Sequence, residues 1–414
     1  MKREAVSLLG LAALLSSSLL PHLRIKPNRV AEGELVSFWT MEAGAPLFWL
    51  LGALVAVVLV AVVFVAVPAL RPRMAVRMLG ASLLLPLLIA LLAVSASTVL
   101  ATSGFEAGRV GPSAGWWAAA LGAYVLYYDG RRKLAGAATS PASARIRIYP
   151  FIMIAGSMAV VAFLPFDALG VVQEFTNRTS RFWEELGAHL LLSGASVAGA
   201  VLIGVPLGML AFRSKRAVEP VFTITSGLQT IPSLALFGLM IAPLAFLSRE
   251  VPVLRALGIR GVGNAPAIIA LTLYGLLPVV RNTFVGLKSI DRGVVDAGRG
   301  MGMSRGELLR LVQIPIALPI ILTGVRITAV QTVGNAAVAA LIGARGLGNF
   351  VFQGLGQAAP DLIVLGALPI VVLAVVVDRG MDALIRSLEP GPRRAGAAEG
   401  ASEASAAGAA EEGA

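Results

Sequence analysis

The sequence contains no cysteine and only two histidines, His22 and His189. Without cysteine there is no disulfide framework and no thiolate site. Two histidines leave little for metal binding or acid–base catalysis. Charge is scarce as well, at 14% of 414 residues. Neither H-E-x-x-H nor G-x-x-x-x-G-K-[ST] occurs. Gly286-Leu287-Lys288-Ser289 comes nearest to the second, but lacks the loop that cradles phosphate. Aromatic residues make up 6%, and all five tryptophans (Trp39, Trp49, Trp116, Trp117 and Trp183) precede residue 186.

What the chain has is apolar sequence, 57% of its residues, with a mean hydropathy of +0.83. A soluble fold of this size could not bury so much, and a bilayer need not. The net charge of +11 raises the question of nucleic acid. The basic residues, however, fall in short loops between apolar runs rather than in one patch, which argues against that partner. Apolar runs lie near 5–20, 46–69, 78–100, 114–128, 148–166, 187–212, 220–247, 265–287, 316–342 and 362–387. The expected fold is an all-α, polytopic membrane helix bundle of about ten spans. The run at 5–20 is not followed by a clear A-x-A site and reads as a retained anchor. A polar linker with Gln173, Glu174, Asn177, Arg178 and Arg181 suggests a division near residue 185. Residues 1–185 then form an accessory region of about five spans. Residues 186–390 form a core of about five more, and 391–414 a disordered Ala/Gly/Glu tail.

Lysine and arginine set the orientation. With Met1 in the cytoplasm and alternating spans, inside segments hold 23 basic residues and outside segments 10. That places the N-terminus, the segment Asp296–Pro315 and the C-terminus in the cytoplasm.

Asp296–Pro315 reads DAGRGMGMSRGELLRLVQIP, a polar interruption between two apolar runs. Asp291 is placed to N-cap a short helix over about 292–301. Gly302 can end it in the left-handed region. Ser304 and Glu307 have capping-box spacing, so a second helix starts there, and Pro315 marks where it yields to the next segment. The expectation is helix, glycine corner, helix, with an apolar edge of Met301, Met303, Leu308 and Leu309.

This stretch resembles the cytoplasmic loop of permease subunits in ATP-binding-cassette importers. That loop has Glu-Ala-Ala, three residues, Gly, nine residues and Ile-x-Leu-Pro. Asp296, Ala297 and Gly298 occupy the triplet, Gly302 the glycine, and Val312, Ile314 and Pro315 the close. Spacing is kept, while Asp, Gly, Val and Ile replace Glu, Ala, Ile and Leu. The resemblance covers roughly residues 186–388. LQTIPSLALFG, PAIIALTLYGLLPVVRNT and ALIGARGLGNFVFQGL resemble the branch importing osmoprotectants such as glycine betaine, choline or carnitine, with Arg345 in place of a small residue. The resemblance implies a transport subunit rather than an enzyme, with no cofactor on this chain. ATP and Mg belong to partner ATPase subunits. A second permease, copy or paralogue, and an external solute-binding protein complete the machine. Asp296, Ala297, Gly298, Gly302, Ser304, Glu307, Val312, Ile314 and Pro315 form the ATPase-coupling loop.

Gln331, Thr332 and Asn335 recur with Thr328 at helical spacing on one face. That face lines a wet path or serves interhelical hydrogen bonds. Gln229-Thr230-Ile231-Pro232-Ser233 interrupts an apolar run, as a pathway-lining break or a structural kink. There the Thr230 and Ser233 hydroxyls are expected to re-satisfy the backbone that Pro232 frees. Intramembrane Arg326 is either functional or snorkels to the cytoplasmic face. Quaternary ammonium ligands favour aromatic cages, yet the core offers only Tyr274 and scattered phenylalanines, so selection falls to the binding protein. The alternatives are the same importer class for methionine or another amino acid, an intramembrane hydrolase using Ser196 and His189, and an ion-driven carrier. The carrier would keep acids in mid-span, whereas Asp361, Asp378 and Asp382 lie near span ends.

The orientation has a direct test. In this cysteine-free chain, single cysteines at Arg213–Arg216 or within 296–315 should resist an impermeant thiol reagent in intact cells. Labelling of 296–315 from outside overturns it.

Overall fold

The structure is a computed structural model that describes residues 5–28, 31–40, 74–105, 108–136, 148–256 and 258–388. Its helices are α1 Ala5–Ser17, α2 Met74–Ser103, α3 Ala114–Gly136, α4 Ile148–Phe163, α5 Gly170–Asn177, α6 Thr179–Arg213, α7 Lys215–Thr230, α8 Ser233–Glu250, α9 Pro252–Ala256, α10 Asn264–Lys288, α11 Arg292–Gly300, α12 Arg305–Ile342, α13 Gly348–Gly356 and α14 Pro360–Leu388. Six of them are long and apolar enough to cross a membrane: α2 (over Met78–Ser103), α6, α8, α10, α12 and α14. The runs at 5–20 and 148–166 fold as shorter apolar helices. The run at 114–128 extends into α3, whose C-terminal part carries Asp129, Arg131, Arg132 and Lys133. The run at 46–69 and the tail from 391 lie outside the described residues. Among the described residues, therefore, six helices have the length and composition of a span, against nine of the ten expected runs that fall within them.

Internal contacts divide the chain into two compact units. One comprises residues up to Thr179 with Gln353–Leu365; the other comprises Ser180–Phe352 with the residues from Gly366 on. In the first, α1 crosses α3 at a glycine pair. A Cβ on Gly122 would lie 2.7 Å from the Gly10 carbonyl oxygen, so the two backbones meet without side chains between them. Next to this crossing is a buried polar set. The Ser7 hydroxyl donates to Asp129, and the Lys133 ammonium lies 2.7 Å from Asp129 and donates to Ser7 Oγ at 3.0 Å. A three-stranded antiparallel sheet, with β2 (Glu34–Val36) and β3 (Arg109–Pro112) on either side of β1 (Leu23–Lys26), packs Leu23, Ile25 and Val110 against Leu92, Ala96 and Val99 of α2. The all-helical reading did not include this sheet, because strands of three or four residues are too short for alternation to show.

The segment read as a linker folds as α5. Glu174 is buried there, and its two carboxylate oxygens take Arg109 at 2.6 Å and Arg178 at 2.9 Å. Within the same unit, the Asp361 carboxylate sits against Gly111 and Gly170. Burial lowers the pKa of His22 to about 4, so its ring is neutral near pH 7.

In the second unit α10 is the central post. Lipid tails are as apolar as leucine, so close packing and hydrogen bonds hold membrane helices together. Against α6, Thr272 donates to the Ser196 carbonyl at 3.2 Å. Against α12, Thr328 donates to the Gly275 carbonyl at 3.0 Å. A Cβ on Gly324 would lie 2.6 Å from the Pro278 carbonyl oxygen. Leu192, Phe237, Leu271 and Ala336 form one core. A second core, of Leu287, Leu309, Ala317 and Ile321, also takes Val205, Met209 and Phe212 of α6.

Gly324→Ala should therefore force the α10–α12 seam apart and destabilise the protein by roughly 1–3 kcal/mol. Gly334→Ala, ten residues along the same helix with open space around its Cβ, should not. Midpoints for loss of monodispersity on heating in detergent would show it; equal midpoints contradict the seam.

Candidate functional site: a capped corner and the helices it joins

The corner between α10 and α12 is built from local hydrogen bonds. The Asp291 carboxylate accepts from the Gly293 N–H at 2.7 Å and caps α11. At the other end Gly302 has φ +82°. Its N–H donates to the Arg299 carbonyl at 2.9 Å, and the Met303 N–H reaches the Gly298 carbonyl at 3.2 Å. This pair of bonds is a Schellman motif, and it requires a left-handed residue at position 302. Ser304 and Glu307 complete their capping box: the Ser304 N–H donates to Glu307 at 2.8 Å and the Glu307 N–H to Ser304 Oγ at 3.3 Å. Asp296 is exposed and makes one loose pair with Arg299 at 3.3 Å, which contributes little.

Two expectations for the corner need correction. The second helix does not yield at Pro315. Leu308–Gln313 forms a π-helical turn that leads straight into Ile314–Val338, with Pro315 in its first turn. The wide turn moves the carbonyls that would clash with the proline ring, and the missing N–H falls where the hydrogen-bond register changes. The apolar edge also differs. Leu308 is turned inward onto Gly298, and Leu309 enters the core with Leu287 and Ile321. The outward stripe is instead Val294, Ala297 and Met301, at i, i+3 and i+7 of α11 and its cap. Met301 is 72% exposed. Val312 and Ile314 are half-buried. Beside the corner, Arg213, Ser304, Gly306, Glu307, Leu309, Arg310 and Leu311 line an open cleft of about 530 Å³.

The polar face of α12 divides. Thr328 and Thr332 are buried, whereas Gln331 is exposed and Asn335 half-buried. Thr328 serves the seam with α10, so of the four only Gln331 and Asn335 stand toward an open face. The Gln229–Ser233 segment is a true break: α7 ends at Thr230, α8 begins at Ser233, and Ile231 is extended. The Thr230 hydroxyl serves local backbone as expected, and two further hydrogen bonds tie the break to α10. Tyr274 donates its hydroxyl to the Ile231 carbonyl, and Gln229 donates to the Tyr274 carbonyl at 2.9 Å. Thr230 bonds its own helix at Gly227, and Ser233 is half-buried. Ser196 donates to the Leu192 carbonyl at 2.8 Å, and the His189 ring reaches the Val333 carbonyl at 3.1 Å. The two are thus held apart by different partners, and the hydrolase reading falls. Elsewhere in this unit, buried Glu185 accepts from the Gly346 N–H at 2.7 Å and Asn349 at 2.9 Å, which fixes the turn before α13.

Residues 200–391 match the family described as the binding-protein-dependent transport system inner membrane component. Residues 2–171 match the N-terminal domain of the ABC transporter permease YehY. The carnitine transport permease OpuCB of Listeria monocytogenes is 42% identical over 202 residues, 49% of this chain and 85% of that protein. The chain belongs to the binding-protein-dependent transport permeases. The osmoprotectant import permease OsmW of Salmonella typhimurium is 44% identical over 190 residues, 46% of this chain and 83% of the relative. The glycine betaine/carnitine/choline permease OpuCB of Bacillus subtilis is 37% identical over 204 residues, 49% and 87%. An inward-facing structure of the MetNI methionine ABC transporter covers 52% of this chain and 99% of its own, at 22% identity and a TM-score of 0.46. As a binding-protein-dependent permease the chain is a membrane transport subunit, not an enzyme.

Proposed function

We propose that this chain is the membrane-spanning subunit of an ATP-driven importer for an osmoprotectant of the quaternary ammonium class, glycine betaine, choline or carnitine. The observation that carries the reading is its 37–44% identity to permeases named for those solutes or for osmoprotectants at large, across more than four-fifths of each. The methionine alternative is supported only by a distant fold likeness. An external binding protein selects and delivers the cargo, and ATP and Mg act on partner ATPase subunits. A second permease, copy or paralogue, completes the path. The N-terminus, the corner and the C-terminus face the cytoplasm, as the basic-residue bias supports. Residues 1–185 act as the accessory region, 186–390 as the permease core.

The corner from Asp296 to Pro315, with Val294 of the same helix α11, docks on the ATPase through Val294, Ala297 and Met301. Closure of the ATPase pair pushes α11, and the capped corner passes the push to α10 and α12. Gln331, Asn335 and Thr230 line the path.

Two outcomes test this. The assembled complex should take up radiolabelled glycine betaine only when its binding protein is present; uptake of amino acids without betaine moves the cargo to the alternative. Gly302→Val should insert normally yet strain the corner by about 1–2 kcal/mol, because a β-branched residue resists positive φ. ATP hydrolysis should then lose its response to loaded binding protein, while Asp296→Ala does less. Full stimulation in Gly302→Val would mean the corner is not the coupling element.

A further inference from the structure

Arg326 lies twelve residues beyond Ile314, about 18 Å along α12. It was expected either to act in transport or to snorkel. In the structure it is paired across to α14. Its Nε donates to Asp378 at 2.7 Å and an Nη donates to Asp382 at 2.8 Å. The two carboxylates are one helical turn apart on α14, so a single guanidinium spans both. Arg386, another turn along, pairs with the second oxygen of Asp382. Arg326 and Arg386 thus offset Asp378 and Asp382, and Arg379 adds a further cation beside Asp378. Asp378 and Asp382, read as span-end acids, are therefore tied into this set.

We propose that Arg326, Asp378 and Asp382 form a polar clasp that makes α12 and α14 move as one body, so that displacement of the corner reaches the last span. Arg326 is a positioning residue here, and the proposal rests on the corner reading given above. α12 runs without a break from Arg305 to Ile342, so the corner and Arg326 are on one continuous helix. Apolar contacts between membrane helices are weakly directional, and they allow neighbours to slide. A guanidinium held by two carboxylates a turn apart fixes axial register, since a shift along either helix breaks both bonds at once. Stability alone does not account for it, because ion pairs as exposed as these contribute little. An ion-driven use is the competing idea, but here the acids are already neutralised by arginine.

The test uses the assembled complex in liposomes. Spin labels on cysteines replacing Ile327 and Val376, both exposed, report the α12–α14 distance. That distance should stay fixed between the nucleotide-free and nucleotide-bound complex. In Arg326→Gln it should change with nucleotide. Arg326→Gln should also keep the stimulation of ATP hydrolysis by loaded binding protein, yet move about ten-fold less glycine betaine per ATP. If Arg326→Gln fails to insert, the apolar triple replacement Arg326→Leu, Asp378→Leu and Asp382→Leu should insert and show the same loss. A distance that changes in the unsubstituted protein overturns the clasp, as does one that stays fixed in the variants. Unchanged transport per ATP in the variants overturns it too. Loss of stimulation in Gly302→Val alongside normal clasp variants sinks the clasp alone. Full stimulation in Gly302→Val sinks the corner reading instead.

Discussion

The close approach of α10 and α12 is the constraint on which the second unit depends. Gly324 lies against the Pro278 carbonyl, and Gly275 makes room for the Thr328 side chain, whose hydroxyl bonds across to the Gly275 carbonyl at 3.0 Å. In hydrocarbon, an apolar stripe alone would not choose one neighbour over another. A seam that admits no Cβ does choose, and it fixes axial register. α10 and α12 are also the two helices that the corner joins. The corner is thus a short bracket between two posts already locked together. Its Schellman turn and capping box leave few free dihedrals between Asp291 and Glu307. Under the proposed coupling role, a push on α11 has nowhere to dissipate before it reaches the spans.

The same post carries the broken helix. The Ile231 carbonyl, left without a helical donor at the break before Pro232, costs several kcal/mol inside a bilayer unless it finds a donor elsewhere. Tyr274 supplies that donor, and Gln229 bonds back to the backbone of the same residue. The one tyrosine in the core is therefore committed to holding α7 and α8 against α10. The remaining aromatic contacts of this unit are between phenylalanines, such as Phe222–Phe284 at 5.4 Å, and in the group Trp183, Phe182 and Phe350, where Arg181 already lies over the Phe350 ring. Selection by a separate binding protein fits that distribution of aromatics.

Much of the corner was legible in the sequence because its causes are local. Asp291 and Gly293, Gly302 and Arg299, Ser304 and Glu307 all act within three residues of each other. Which leucines face outward was not legible, since Leu308 and Leu309 are placed by a π-helical turn and by the core of Val205 and Met209. The polar face of α12 was legible as a face, but a stripe four residues wide straddles the boundary between seam and open side. Thr328 and Thr332 fall on one side and Gln331 on the other. The break at Pro232 was legible from proline, but the donor that satisfies it lies 43 residues away in the sequence. Partners at such separations leave no periodic trace.

The charged residues show this limit most clearly. Counted as loop charges, they give orientation by a bias that disregards where each acid lies. The fold adds counter-ions. Arg109 and Arg178 share Glu174, Arg345 meets Glu184, and Arg181 approaches Glu185 at 3.8 Å. All four arginines belong to the smaller, outer side of the tally. The two buried carboxylates among their partners also shape the backbone around them. Glu174 fixes α5 to β3, and Glu185 holds the turn before α13 through Gly346 and Asn349. Arg109, Arg178 and Arg181 are thus drawn to buried carboxylates, a role that a count of loop charges does not register.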